Sequence, residues 1–229
     1  MQLQAVIFDF DGIVVDSEPL HHAAFVRILE PLNLDLSWDR YCGHYLGFDD
    51  RDVIRERFRE AERPLDDSTM RQLMEQKARV FVEIVEKQGI TPYPGVVTLI
   101  RYLYSRVPLA ICSGALKSDI DPILRILDVE DCFPIKVTAD QVHVSKPDPE
   151  SYFAVFNRLQ EMHPSRVLSP SACFAIEDTP AGIAAARGAG LNVLAVSNTY
   201  QPDLLAGANH IVDSLEHVDM AMLENLLPG

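Results

Sequence analysis

Positive charge is scarce in this chain. Its 229 residues carry 20 Lys and Arg against 34 Asp and Glu, a formal net charge of −14. Nucleic acid and anionic membrane surfaces select basic faces, so neither is an expected partner. A small anion stays within reach, because a few well-placed cations and backbone amides suffice to hold one. Cysteine is sparse too. Cys42, Cys112, Cys132 and Cys173 are scattered without paired spacing. They read as reduced thiols of a cytoplasmic protein, with Cys112 and Cys173 in strands. That pattern gives little basis for a zinc site. No apolar run approaches the length of a membrane span. Met1 leads straight into the first apolar run, without the basic region and longer apolar segment of a secretory leader, so no signal peptide is expected. Internal repeats and low-complexity segments are also missing.

What remains is an ordinary globular composition, 48% hydrophobic and 24% charged. The length suits one large domain or a core with an insert. Near the start stands QAVIFDFDGIVVDS, residues 4–17. Ala5 to Phe8 is a short apolar run of the kind that forms a buried strand. Asp9 and Asp11 follow, two apart, so an extended chain aims both carboxylates to one side. Two such carboxylates repel, and one would normally hold its proton. A cation is the obvious reason to keep them together.

Further apolar runs occur at 108–113, 134–139, 172–178, 191–197 and 210–214. Amphipathic segments lie between them, near 94–106, 115–127, 149–161, 179–189 and 202–207. Repeated strand–helix–strand units imply a parallel sheet with helices on both faces, an α/β Rossmann-like fold. Gly188 and Gly190 bracket a helix end, and Pro149 and Pro180 suit first-turn positions. Residues 16–92 break the rhythm. They contain no convincing strand and read as helices with apolar residues three and four apart. Asp50 and Ser68 are expected helix starts and Gly89 a stop. The expected organisation is a catalytic core of 1–15 and 93–229 with an all-helical insert of 16–92. Ligands of open parallel sheets bind at the carboxyl ends of the strands. Asp9, Asp11, Ser113, Glu177 and Asp178 all fall there. The insert leaves the sheet at that edge, from where it can cover the site.

Four motifs now resemble the haloacid dehalogenase superfamily, in order and across nearly the whole chain. DFDGIVVDS resembles its first motif, ICSGA its second with Ser113, SKPDPE its third with Lys146, and AIEDTPAGIAAARGAG its fourth with Glu177 and Asp178. The inserted helices resemble the family's helical cap, as in the beta-phosphoglucomutase-like branch of phosphatases and phosphomutases. The resemblance implies an enzyme that transfers phosphoryl groups with Mg²⁺ and uses the cap for substrate specificity.

The chemistry of these residues agrees. Phosphoryl transfer needs a nucleophile, neutralised phosphate charge and a proton for the leaving group. Asp9 suits the nucleophile, forming an aspartyl-phosphate. Asp11 suits the general acid, which then accepts a proton from water. Mg²⁺ favours hard oxygen ligands. Asp9 and Asp178 supply them, with Glu177 a further candidate and, by resemblance, the backbone carbonyl of Asp11. Ser113, with amides from Gly114 onward, suits a phosphoryl oxygen. Lys146 suits charge on both phosphate and Asp9. The resemblance adds His21, on the first cap helix, where the family often has a histidine facing the site; beside His22 on a polar helix face it reads equally as surface or hinge. Blander readings exist for each. Asp-Gly is a turn signal, Ser113 and Glu177-Asp178 suit helix caps, and lysines such as Lys146 commonly lie in solvated loops. Asp16 reads as structural or functional. Arg51 and Lys117 read as solvated faces before substrate contacts. Trp38 reads as a buried cap anchor.

Asp11 argues against a dehalogenase, because a halide leaves without a proton, and similarly against phosphonate hydrolysis. Phosphoglucomutases of this type carry a basic pair in the cap at positions matching Leu46 and Asp50 here. Both basic groups are gone, which counts against a hexose-phosphate mutase. The expectation is a Mg²⁺-dependent phosphatase of a small phosphorylated metabolite, with sugar phosphates the leading class. A phosphosugar mutase and a non-catalytic phosphometabolite-binding protein are the alternatives. Monomer and homodimer are both compatible with the apolar residues of the cap.

Overall fold

The computed structural model describes residues 2–46 and 48–228. The path opens with strand β1 (Ala5–Phe8), then runs through α1 (Glu18–Leu29), the single turn α2 (Trp38–Arg40), α3 (Asp50–Glu60) and α4 (Asp67–Gln88). It continues through α5 (Val96–Tyr104), β2 (Leu109–Cys112), α6 (Lys117–Ile126) and β3 (Ile135–Val137). The last third holds α7 (Glu150–Met162), β4 (Cys173–Glu177), α8 (Pro180–Gly188), β5 (Asn192–Val196), β6 (His210–Val212) and α9 (Met220–Leu226).

The chain divides into two compact units, Met1–Asp16 with Thr91–Gly229, and Ser17–Ile90. In the first, six parallel strands run in the order β3-β2-β1-β4-β5-β6. Strands covered on both faces read as continuous apolar runs, and β1, β2, β4 and β5 are buried at every position. Side chains alternate between faces. Ala5 and Ile7 join Ala110, Cys112, Ala175 and Val193 in a cluster with Tyr152, Val155 and Leu159 of α7 and Ile183 of α8. Phe8 points the other way, edge-on to Phe133 at 5.7 Å between ring centroids. This is the α/β parallel-sheet class that the sequence implied, with a helical insertion after β1.

In the second unit, α1 and α3 both pack on α4. Phe25, Ile28 and Leu29 of α1, Val53, Ile54 and Phe58 of α3, and Leu73 of α4 form its core. Among its described residues there is no strand. α3 starts at Asp50 as expected, whereas α4 starts at Asp67, one residue before Ser68. Asp49 caps α3 by accepting from the Asp52 amide at 2.8 Å, and Asp66 caps α4 by accepting from the Thr69 amide at 2.7 Å. Each cap belongs to an adjacent pair of aspartates, and the earlier one wins because its oxygen reaches the amide three residues on. Gly89 ends α4 as expected. The segment 202–207 forms only a 3₁₀ turn, Pro202–Leu205. Trp38 is not a buried anchor: it is 42% exposed, stacked on Tyr41 at 5.8 Å and edge-on to His22 at 5.2 Å between ring centroids. No helix among the described residues is long and apolar enough to cross a membrane.

Candidate active site

Three neighbouring strands deliver the sequence candidates to one edge of the sheet. Asp9 follows β1, Ser113 follows β2, and Glu177 and Asp178 end and follow β4. Because β1 lies between β2 and β4, their carboxyl ends are adjacent. The Asp9 amide donates to the Ile176 carbonyl at 2.9 Å, which extends the ladder to the first candidate residue.

Lys146 joins the edge from a loop between β3 and α7. Its Nζ donates to Asp9 Oδ1 at 2.7 Å, Glu177 Oε1 at 2.6 Å and the Cys112 carbonyl at 3.0 Å. The loop is held by Glu150, whose carboxylate accepts from the amides of His143 and Val144, both at 2.9 Å. Burial opposes the charge on Lys146, yet Asp9 and Glu177 hold its amine well above the ordinary lysine value. The ammonium therefore persists throughout the neutral range.

The carboxylates fare differently. Burial pushes Asp9 well above the usual carboxylate range; Lys146 pulls it back, while Glu177 and Asp178 add to the rise. Burial, then the Glu177 charge, pushes Asp178 up to about 7, against a hydrogen bond from Thr199 and the charge of Lys146. Asp9, Glu177 and Asp178 each present an oxygen within 4.8 Å of the others. Asp178 Oδ1 is buried with no hydrogen-bond partner. An orphaned carboxyl oxygen beside other carboxylates is a position that a cation satisfies, and the all-oxygen donor set suits Mg²⁺. Two glycines make room for this crowd. Gly12 has φ +82°, and a Cβ there would run into Asp178 Oδ2. A Cβ at Gly182 would strike the Glu177 carboxylate.

Ser113 is buried, and its Oγ accepts from the Ala115 amide at 2.9 Å. That bond leaves its own hydroxyl proton to donate elsewhere. Space around Gly114 is open. Asp11 sits where the chain turns back on itself, bridged to Val15, and its charge is one of those that raise Asp178. His21 is placed in the helical unit, away from any polar face. It is 9% exposed, with Nδ1 2.7 Å from Lys77 Nζ and its ring stacked on Phe81 at 4.3 Å. Asp16, Arg51 and Lys117 are exposed.

Three residues of the site escaped the sequence reading. Tyr152 donates to Glu177 Oε1 at 2.6 Å, Thr199 hydrogen-bonds Asp178, and Asn198 donates to the Gly12 carbonyl at 2.7 Å. Asn198 and Thr199 lie just past β5, so the rule that places ligands at strand carboxyl ends was the signal that pointed to them. Tyr152 gave none, because a tyrosine inside an amphipathic helix reads as core.

The family model for haloacid dehalogenase-like hydrolases matches residues 6–196, from within β1 to the end of β5. The phosphorylated carbohydrates phosphatase of Thermotoga maritima is 32% identical over 193 residues, 82% of this chain and 82% of that protein. The beta-phosphoglucomutase of Bacillus subtilis is 28% identical over 228 residues, 96% of this chain and 94% of that protein. The crystal structure of CbbY from Rhodobacter sphaeroides in complex with phosphate shares the fold, with a TM-score of 0.86 at 22% identity over 97% of this chain and 100% of that one. The chain therefore belongs to the haloacid dehalogenase-like hydrolases.

Proposed function

We propose that this chain is a Mg²⁺-dependent phosphatase of a small phosphorylated metabolite, working through a phosphorylated Asp9. The observation that carries the reading is Lys146 bridging Asp9 and Glu177 beside the unpartnered Asp178 oxygen. Mg²⁺, held by Asp9, Asp178 and the Asp11 backbone carbonyl, would offset charge on the phosphate oxygens. Lys146 turns Asp9 by one oxygen and leaves the other to attack phosphorus. The new bond joins that oxygen to phosphorus as the ester oxygen leaves, and Asp11 gives the leaving oxygen its proton. Asp11 then takes a proton from water, whose oxygen attacks the phosphorus and frees Asp9 and inorganic phosphate. Ser113, with its hydroxyl proton available, donates to a phosphoryl oxygen, and Gly114 leaves its backbone accessible. By family resemblance, His21 would contact the substrate.

The Thermotoga relative's name supports phosphorylated carbohydrates as the substrate class. A phosphosugar mutase is the second reading, supported by the alignment with the Bacillus enzyme along 96% of this chain. Against it, Asp50 stands where such mutases carry a basic residue, and its carboxylate pairs with Lys77 at 2.7 Å. The deciding experiment is phosphate release from a panel of sugar phosphates, hexose 1-phosphates included, with Mg²⁺ or with chelator, and with the sugar products resolved. Metal-dependent phosphate release that Asp9→Asn lowers at least a thousandfold is expected. Isomerised sugar phosphate without free phosphate hands the site to the mutase reading. Full turnover by Asp9→Asn removes the nucleophile.

A further inference from the structure

Tyr152 is the third residue of α7 and is wholly buried. Its hydroxyl donates to Glu177 Oε1 at 2.6 Å, and Lys146 Nζ donates to the same oxygen at 2.6 Å. The tyrosine ring also faces the ammonium, 5.2 Å from centroid to Nζ. One carboxylate oxygen thus serves two donors, one neutral and one cationic.

The arrangement matters because Lys146 is contested. An ammonium has three protons. Three acceptors surround this one: Asp9 Oδ1, Glu177 Oε1 and the Cys112 carbonyl. Two of the three are carboxylates, and the one less satisfied by other donors pulls harder. Glu177 is the more buried of the two, 0% exposed against 6% for Asp9, so its charge is the less screened. Left with Lys146 alone on Oε1 and only the long 3.4 Å bond from the Thr179 hydroxyl on Oε2, the more deeply buried Glu177 would draw the ammonium toward itself and off Asp9. A second donor on that oxygen weakens the pull.

We propose that Tyr152 is a positioning residue: its hydroxyl engages Glu177 Oε1 and so keeps the Lys146 ammonium on Asp9. The proposal rests on the reading of Asp9 as nucleophile. A phenylalanine would fill the same space and pack on the same sheet face, so the ring answers for packing and the hydroxyl for position. With no surface open to substrate, Tyr152 acts on turnover and not on substrate binding.

The test is Tyr152→Phe. We expect kcat to fall about tenfold with KM within about twofold, the cost of one donor lost from a buried charged acceptor. A merely structural tyrosine would lower thermal stability and leave that split untouched. The second measurement needs no turnover: the ¹⁵N resonance of the Lys146 ammonium in substrate-free protein, assigned by its loss in Lys146→Arg. It moves in Tyr152→Phe if the ammonium shifts between its two carboxylates. An unmoved resonance overturns the proposal. So does a moved resonance with unchanged kcat, or a rise in KM at constant kcat. If the wild-type protein hydrolyses no phosphomonoester, the nucleophile reading fails by itself, and the resonance still decides whether Tyr152 sets the position of Lys146. Should Tyr152→Phe not fold, 3-fluorotyrosine at 152 keeps ring and hydroxyl while strengthening the donor. The same resonance must then move, and its constancy overturns the proposal.

Discussion

Lys146 in the sheet unit and Lys77 in the helical unit both end in enclosed surroundings, and their partners differ in kind. Lys77 is fully buried, with Asp50 Oδ2 and His21 Nδ1 each 2.7 Å from its Nζ and the Phe25 and Phe81 rings beside it. Burial, then the charge of Lys77, hold His21 well below the ordinary histidine value, so its ring is neutral. Here a buried cation meets an anion. The helical unit repeats this economy around Glu56 and Glu60, which are met by Arg40, Arg57 and Arg59. At the sheet edge, one lysine faces Asp9, Glu177 and Asp178 together. Enclosing unpaired charge is expensive. A surplus of buried anions is therefore kept only where something from outside supplies the cation, whereas the balanced clusters need nothing. The sign of the local imbalance separates a site from a structural network better than acidity does.

The largest effect that tests this contrast comes from removing a cation where charges balance. Lys77→Met strands Asp50, whose side chain is 15% exposed, without its ammonium. The expected loss is about 3 kcal/mol of stability, read from denaturant unfolding. A loss below about 1 kcal/mol would mean that Asp50 never depended on Lys77, and the contrast would break. The next effect comes from supplying a cation where charges do not balance. Mg²⁺ at a hundred times its dissociation constant stabilises a single-site protein by about 2.7 kcal/mol. The midpoint of thermal unfolding should rise with Mg²⁺ over chelator. The rise should vanish in Asp178→Asn and persist in Glu60→Gln. An equal rise in all three proteins would place the cation elsewhere.

How far the sequence revealed this depended on the range of the interaction. The parallel strands were legible because a strand buried on both faces is an apolar run, as in AVIF and LAIC. Asp9, Ser113 and Asp178 were legible because each directly follows such a run. Lys146 was legible only through its motif, since its contacts with Asp9 and Glu177 span 137 and 31 residues. Lys77 was not legible at all. A lysine in a helix reads as surface until its partners, Asp50 and His21, arrive from two other helices. His21 was misplaced on a polar face for the same reason. The turn at Tyr41–Tyr45 is a π-helix with five-residue spacing, so the three-and-four pattern used to read helices passes over it.

The smallest of the expected effects is also the one with the clearest sign. Glu60 takes Arg40 on Oε1 at 2.6 Å, and Tyr45 at 2.5 Å together with Arg57 on Oε2. Burial alone would raise its carboxyl, but these three donors drive it from the ordinary 4.5 down to about 2. The unfolded chain therefore binds more protons than the folded one between those two values, and stability climbs with pH across that window. The contribution is complete above pH 4.5 and lost as pH falls toward 2. The shift converts to about 3 kcal/mol at most; Glu60 is 22% exposed, and solvent screening brings the expected value to about 2 kcal/mol. Glu60→Gln has no carboxyl to protonate there. Denaturant unfolding at pH 7 and at pH 2.5 should show the gap between wild type and Glu60→Gln narrowing by roughly that amount. A gap that stays constant would mean that the arginines pair with Glu60 too weakly to count, and the helical unit would lose its claim to balanced charge at this cluster.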